Sequence, residues 1–205
     1  MDTMTISRDE AKLSEYDFIV LVDASGSMSE QDCPGNRSRW DYMQETLGSF
    51  VRDVQKLDSD GIGLVIFGGS NIEKHDGVTA DKLKDVFATR QPRGATPLAE
   101  ALAEGLKLAG KSSKKDFLMV FTDGVPDDQK AAADVIRRQS NSQTADDECT
   151  ILFIQVGRDA GASRYLQQLD DALTGAKFDI VDAKTIEEAE RFPSTTALVI
   201  NAIND

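Results

Sequence analysis

The chain has 205 residues, 40% hydrophobic and 29% charged, a balance that excludes a disordered polypeptide and a bundle of membrane spans. Its formal charge of −13 repels nucleic-acid phosphates and weighs against a general nucleic-acid binder. Two cysteines, Cys33 and Cys149, form no C-x-x-C zinc pattern.

Residues 1–15 are polar, carry no apolar signal core, and are expected to form a flexible N-terminal tail ahead of one domain over 16–205. No apolar run reaches transmembrane length, so the expected setting is the cytoplasm, with reduced thiols. Phe18 to Val22 is a short, continuously apolar run, the mark of a strand buried on both faces. Trp40, Met43, Leu47, Phe50, Val51 and Val54 then recur at helical spacing, with Trp40 expected as a core anchor. Gly61 to Phe67 repeats the strand signature, and the polar Asn71 to Val78 suits an edge strand. Helices are expected over Ala80 to Ala88 and along the stripe Leu98, Leu102, Leu106 and Ala109. Phe117 to Phe121 and Thr150 to Val156 are buried strands, and Phe178 to Val181 is a less apolar candidate. Helices over Ala131 to Gln139 and Ser163 to Leu173 follow the later strands, with Ile186 to Phe192 and Thr195 to Ile203 closing the chain. Strands that alternate with helices predict an α/β fold, a mostly parallel sheet covered on both faces.

The chemistry gathers at three points. After the first strand, oxygen-bearing side chains stand at alternate positions: Asp23, Ser25 and Ser27. On an extended backbone they point the same way, and Gly26 gives the chain room to turn. Thr96 precedes Pro97, which suits the first position of a helix with Thr96 as its cap. Asp123 follows a later strand as Asp23 follows the first. Hydroxyls and carboxylates are hard donors, suited to Mg²⁺ above all, and to Mn²⁺ or Ca²⁺.

These pieces, in this order and context, resemble the metal-ion-dependent adhesion site of von Willebrand factor A domains from about Tyr16 onward. All five motif positions are matched: Asp23, Ser25, Ser27, Thr96 and Asp123. The resemblance implies a Rossmann-like, doubly wound six-stranded sheet with one antiparallel edge strand, reversing its order between the first and fourth strands. It further implies a divalent metal ion with an open position that accepts an Asp or Glu carboxylate from a partner protein. Stand-alone intracellular relatives of this kind serve in bacterial stress-response systems or beside AAA-type ATPases, so a protein partner, a monomeric state in isolation and no membrane or nucleic-acid ligand are expected.

Two other functions compete. A Mg²⁺-dependent phosphoryl transferase would use Asp23 as nucleophile, but the second Asp such enzymes carry two residues on is Ser25 here, and no P-loop pattern is present. A nucleic-acid-associated relative would need a local basic patch, for which Arg137 and Arg138 are the candidates. Asp127 and Asp128 are expected to charge and cap the next helix, Asp32 and Asp41 to be solvated, and His75 to be exposed. Ser29 to Ser38 reads as a surface loop beside the site.

Overall fold

In a sheet covered on both sides, successive residues of one strand feed two separate cores. The computed structural model, which describes residues 7–205, is organised in this way. The strands are β1 (Tyr16–Asp23), β2 (Ile62–Gly68), β3 (Asn71–Val78), β4 (Lys115–Thr122), β5 (Cys149–Gln155) and β6 (Val181–Thr185). The helices are α1 (Arg8–Leu13), α2 (Arg39–Val54), α3 (Ala80–Ala88), α4 (Leu98–Ala109), α5 (Gln129–Ser142), α6 (Ala160–Asp171), α7 (Ile186–Glu190) and α8 (Thr195–Ile203). Phe18, Val20 and Val22 of β1 join Phe117, Met119 and Phe121 of β4 under α2, α7 and α8. Ile19 and Leu21 join Leu118 and Val120 under α4, α5 and α6.

The sheet order is β3-β2-β1-β4-β5-β6. Every neighbouring pair is parallel except β2 with β3, the antiparallel edge. The fold is thus the expected six-stranded, doubly wound α/β sheet. Its order reverses between β1 and β4, and their carboxyl ends, with Asp23 and Asp123, open on the crevice where such sheets bind ligands.

Three expectations about the helices and strands need correction. The second half of the expected tail is helical: α1 is capped reciprocally by Ser7 and Glu10, its Leu13 is buried, and Lys12 Nζ donates to Asn204 Oδ1 at 2.8 Å. Residues 1–6 lie outside the described residues. The last strand is displaced to Val181–Thr185, because an edge strand needs only one apolar face and tolerates Asp182 and Lys184. Finally, α4 starts at Leu98 with Pro97 at its cap position, so Thr96 lies one residue further out and does not cap it.

Candidate metal centre

The site is assembled by backbone contacts between loops. The β1 loop is tied to the segment before α4 by Gly26 N–H donating to Gly94 O at 3.0 Å and Arg93 N–H to Ala24 O at 2.8 Å. The turn after β2 joins through Gly69 N–H to Ala95 O at 2.9 Å. Gly94 has φ of +77°, and a Cβ there would lie 2.5 Å from Gly69 Cα, so only glycine allows this approach. The loop after β4 closes the ring: Thr96 N–H donates to Asp127 Oδ1 at 3.1 Å and Asp127 N–H to Thr96 O at 3.1 Å. Asp127 therefore staples two loops, while Asp128 caps α5 by accepting from Ala131 N–H at 2.8 Å.

The side chains converge, though not on a continuous extended backbone. Asp23 ends β1, Ser25 is extended, and Gly26–Ser29 winds into a single 3₁₀ turn. That turn brings Ser25 Oγ and Ser27 Oγ to 3.3 Å, and Ser27 Oγ donates to Asp123 Oδ1 at 2.9 Å. Asp23 accepts Ser25 N–H on Oδ1 at 2.8 Å and Thr122 Oγ on Oδ2 at 2.7 Å. Thr96 is buried, and its hydroxyl makes no hydrogen bond among the described residues. Four of the five motif residues, Asp23, Ser25, Ser27 and Asp123, are thus linked directly, and Thr96 is held to them through its own loop.

Both carboxylates are out of water, Asp23 at 0% and Asp123 at 1% exposure. Burial, and then the charge of Asp123, pushes the Asp23 carboxyl up to about 6, against the hydrogen bonds from Ser25 and Thr122. Burial also raises Asp123, against hydrogen bonds from Arg39 and Ser27. Two buried acids and the neighbouring hydroxyls make a cluster of hard oxygens, a donor set of the kind that suits a divalent cation.

One charged neighbour escaped the sequence reading. Arg39, the first residue of α2, is buried, and its Nη1 donates to Asp123 Oδ2 at 2.9 Å. Its other donors hold Asp32, Nε to Oδ1 at 2.9 Å and Nη2 to Oδ2 at 2.6 Å, and Nη2 also lies 2.9 Å from Glu30 Oε2. Asp32 is therefore not merely solvated: the hydrogen bond from Arg39 holds its carboxyl below the usual range, against burial. A basic residue in the first turn opposes the helix dipole, and this was the readable signal that Arg39 has a specific partner.

The remaining candidates fall outside the site. Trp40 is buried edge-on against Phe87, with ring centroids 5.2 Å apart. Asp41 is exposed, whereas His75 is half-buried on β3 rather than exposed. Arg137 donates to Asp134 Oδ1 and to Thr174 O, so it is engaged within the fold. A carboxylate trio at the β6 edge, Asp170, Asp182 and Asp205, has a counter-ion in Lys184 Nζ, 2.8 Å from Asp182 Oδ1. A cleft of about 260 Å³ between α2 and the α7–α8 segment, floored by Phe50, Met119, Phe121 and Leu198, is lined by none of the five motif residues.

A family model described as the von Willebrand factor type A domain matches residues 18–125, more than half of the chain. No curated protein matches the sequence. Among solved structures, the manganese-loaded TRAP protein of Plasmodium vivax is similar at a TM-score of 0.64 and 18% identity, over 93% of this chain and 74% of that one. The SpRpn10 VWA domain is similar at 0.61 and 12% identity, over 91% and 94%. The pilus adhesin SpaC of Lactobacillus rhamnosus GG is similar at 0.56 and 16% identity, over 92% of this chain but only 29% of the adhesin. At such identities these likenesses speak for the fold alone.

Proposed function

The chain belongs to the von Willebrand factor type A family, and from that premise we propose that it is a protein-binding module that holds one divalent cation and offers it to a carboxylate of its partner. The observation that carries this reading is the oxygen cluster where the sheet order reverses: the hydroxyls of Ser25 and Ser27 lie 3.3 Å apart, Ser27 Oγ donates to the buried Asp123 at 2.9 Å, and the buried Asp23 accepts from Ser25 N–H at 2.8 Å. Asp23, Ser25, Ser27, Thr96 and Asp123 would hold the ion. Mg²⁺ fits this donor set, with Mn²⁺ and Ca²⁺ as alternatives, and the TRAP neighbour is described as manganese-loaded. Bound there, the ion supplies a Lewis-acidic acceptor for an anionic oxygen. Neutral hydroxyls among the ligands leave it positive charge to share, which an all-carboxylate cage would quench.

We read no reaction at this site. Both oxygens of Asp23 accept hydrogen bonds and the side chain is fully buried, a poor posture for the nucleophile that a phosphoryl transferase needs. A monomeric state and a cytoplasmic setting belong to the same proposal, the latter supported by two free, buried cysteines. No helix of the described residues is long and apolar enough to cross a membrane.

Calorimetric titration with Mg²⁺ and Mn²⁺ tests the reading, alongside melting with and without chelator. A ligand that binds only the folded state adds about 2.7 kcal/mol at 100 times its Kd. Asp123→Ala is expected to abolish both the heat and the stabilisation. Heat and stabilisation that persist in Asp123→Ala would place the ion elsewhere, and a parent indifferent to millimolar metal would sink the proposal. For a partner once found, replacing its candidate Asp or Glu by the amide is expected to weaken binding as much as chelator does.

A further inference from the structure

Arg39 is built into the fold as a bridge with one arm inside and one outside. Nη1 reaches Asp123, which is 1% exposed, while Nε and Nη2 grip Asp32 and Glu30 on the loop before α2. Its place is cleared by Gly157, two residues past the end of β5. Gly157 has φ of +79°, and a Cβ there would stand 2.4 Å from Arg39 Nε and 2.8 Å from Cζ. A cation at the start of a helix opposes the dipole, so helix stability does not explain its position. The electrostatics of the crevice do explain it. Two carboxylates are buried side by side, and among the described residues Arg39 is the positive side chain bonded to either of them.

We infer that Arg39 is a resident counter-ion for the crevice: it neutralises Asp123 while no metal ion is bound, and a divalent cation bound at Asp123 competes with it. The inference rests on the proposed metal site. Asp123 has two oxygens, of which Oδ1 faces Ser27 and Oδ2 faces the guanidinium. A divalent ion on the Ser27 side places its charge near a guanidinium that is always protonated, and the two repel across one carboxylate. Arg39 therefore has two linked effects. It keeps the metal-free fold intact, and it lowers cation affinity, so that the ion is exchangeable rather than structural.

Melting and Mn²⁺ calorimetry of the full chain, with Arg39→Met, Arg39→Lys, Asp123→Asn and the double variant Arg39→Met/Asp123→Asn, test this. Arg39→Met is expected to melt well below the parent in chelator, to gain more from Mn²⁺ than the parent does, and to bind Mn²⁺ more tightly, on the order of tenfold. Arg39→Lys keeps the charge and is expected to respond to Mn²⁺ much as the parent does. In chelator, Asp123→Asn is expected to recover stability that Arg39→Met removes, since no buried carboxylate is then left alone. Equal or weaker Mn²⁺ binding by Arg39→Met overturns the inference and makes Arg39 a positioning or packing residue. If Arg39→Met does not fold in chelator, Arg39→Gln takes its place with the same expectations. A parent that takes up no Mn²⁺ sinks both the proposed function and the competition, and the counter-ion role then stands or falls on whether Asp123→Asn restores Arg39→Met in chelator.

Discussion

Gly157→Ala isolates how strongly the fold depends on the placement of one guanidinium. Two effects add. An alanine at φ of +79° incurs the left-handed backbone penalty, about 1–2 kcal/mol. Its Cβ also enters the space of Arg39, 2.4 Å from Nε and 2.8 Å from Cζ, so the guanidinium must move. Neither Gly157 nor the backbone after β5 can retreat easily, because Val156 N–H is bonded to Thr122 O at 2.9 Å. The contacts to Asp32 and Glu30 are partly exposed and contribute little, about 0–1 kcal/mol each. The contact to Asp123 is buried, and stranding such a charge costs about 3–5 kcal/mol. The sum is about 4–9 kcal/mol, or roughly 10–35 °C in melting for a domain of this size. Urea and thermal unfolding in chelator measure it, with the same substitution made in Asp123→Asn. There the stranded carboxylate is gone and about 1–2 kcal/mol of backbone penalty should remain. A drop of only that size in the parent background would refute the reasoning, by showing that Arg39 leaves Asp123 at little cost.

Asp116 supplies a pH signature away from the site: burial, then the charge of Asp17, pushes its carboxyl up to about 7, and one of its oxygens is buried without a hydrogen bond. Between about 4 and 7 the folded chain therefore holds a proton that the unfolded chain has released, so this contribution to stability is present at low pH and fades as pH rises through 7. Asp116→Asn should match the parent near pH 4 and exceed it at pH 8, by about 1–2 kcal/mol after allowing for solvent screening; unfolding curves with the same pH dependence in both chains would contradict this. Removing the chain from Phe192 onward uncovers the core face that Leu198, Val199 and Ala202 seal, and at about 1.5–3 kcal/mol per large apolar side chain the melting temperature should fall sharply. An unchanged melting curve would show α8 to be dispensable. Phosphate esters should not be turned over with any divalent metal; turnover that disappears in Asp23→Asn would restore the enzyme reading.

What the sequence disclosed follows from where each interaction sits along the chain. The strands β1, β2, β4 and β5 are buried on both faces and show as unbroken apolar runs, so they were legible. The strand β6 lies at the edge and mixes Asp182 and Lys184 with one apolar face, so its expected limits fell three to four residues short of Val181–Thr185. The short helix α1 carried a readable signal, the Ser7-to-Glu10 capping box, but six residues give too little periodicity to outweigh a polar surrounding. At the candidate site, Asp23, Ser25 and Ser27 stand in a local pattern, and Thr96 and Asp123 each follow a readable strand or precede a readable helix, so these oxygen-bearing residues could be picked out. Arg39 and Gly157 meet across 118 positions of chain, and only the folded crossover from α2 to β5 makes them neighbours. The turn at Gly26–Ser29 was likewise hidden, because alternate spacing looks the same in an extended strand and in a strand that ends in one tight turn.

The contact between α1 and α8 has a consequence for handling the protein. Glu15 O receives Lys115 N–H at the amino ends of β1 and β4, and Lys12 reaches Asn204 nearby, so the described chain starts and finishes at one pole of the sheet. The Asp23 and Asp123 crevice opens at the other pole, a strand length of roughly 25 Å away at 3.2–3.4 Å per residue. Tethering to a sensor surface through either end of the described chain would therefore point the crevice outward, and joining those two ends by a short peptide to make a circular permutant would leave the loops that carry Asp23 and Asp123 untouched.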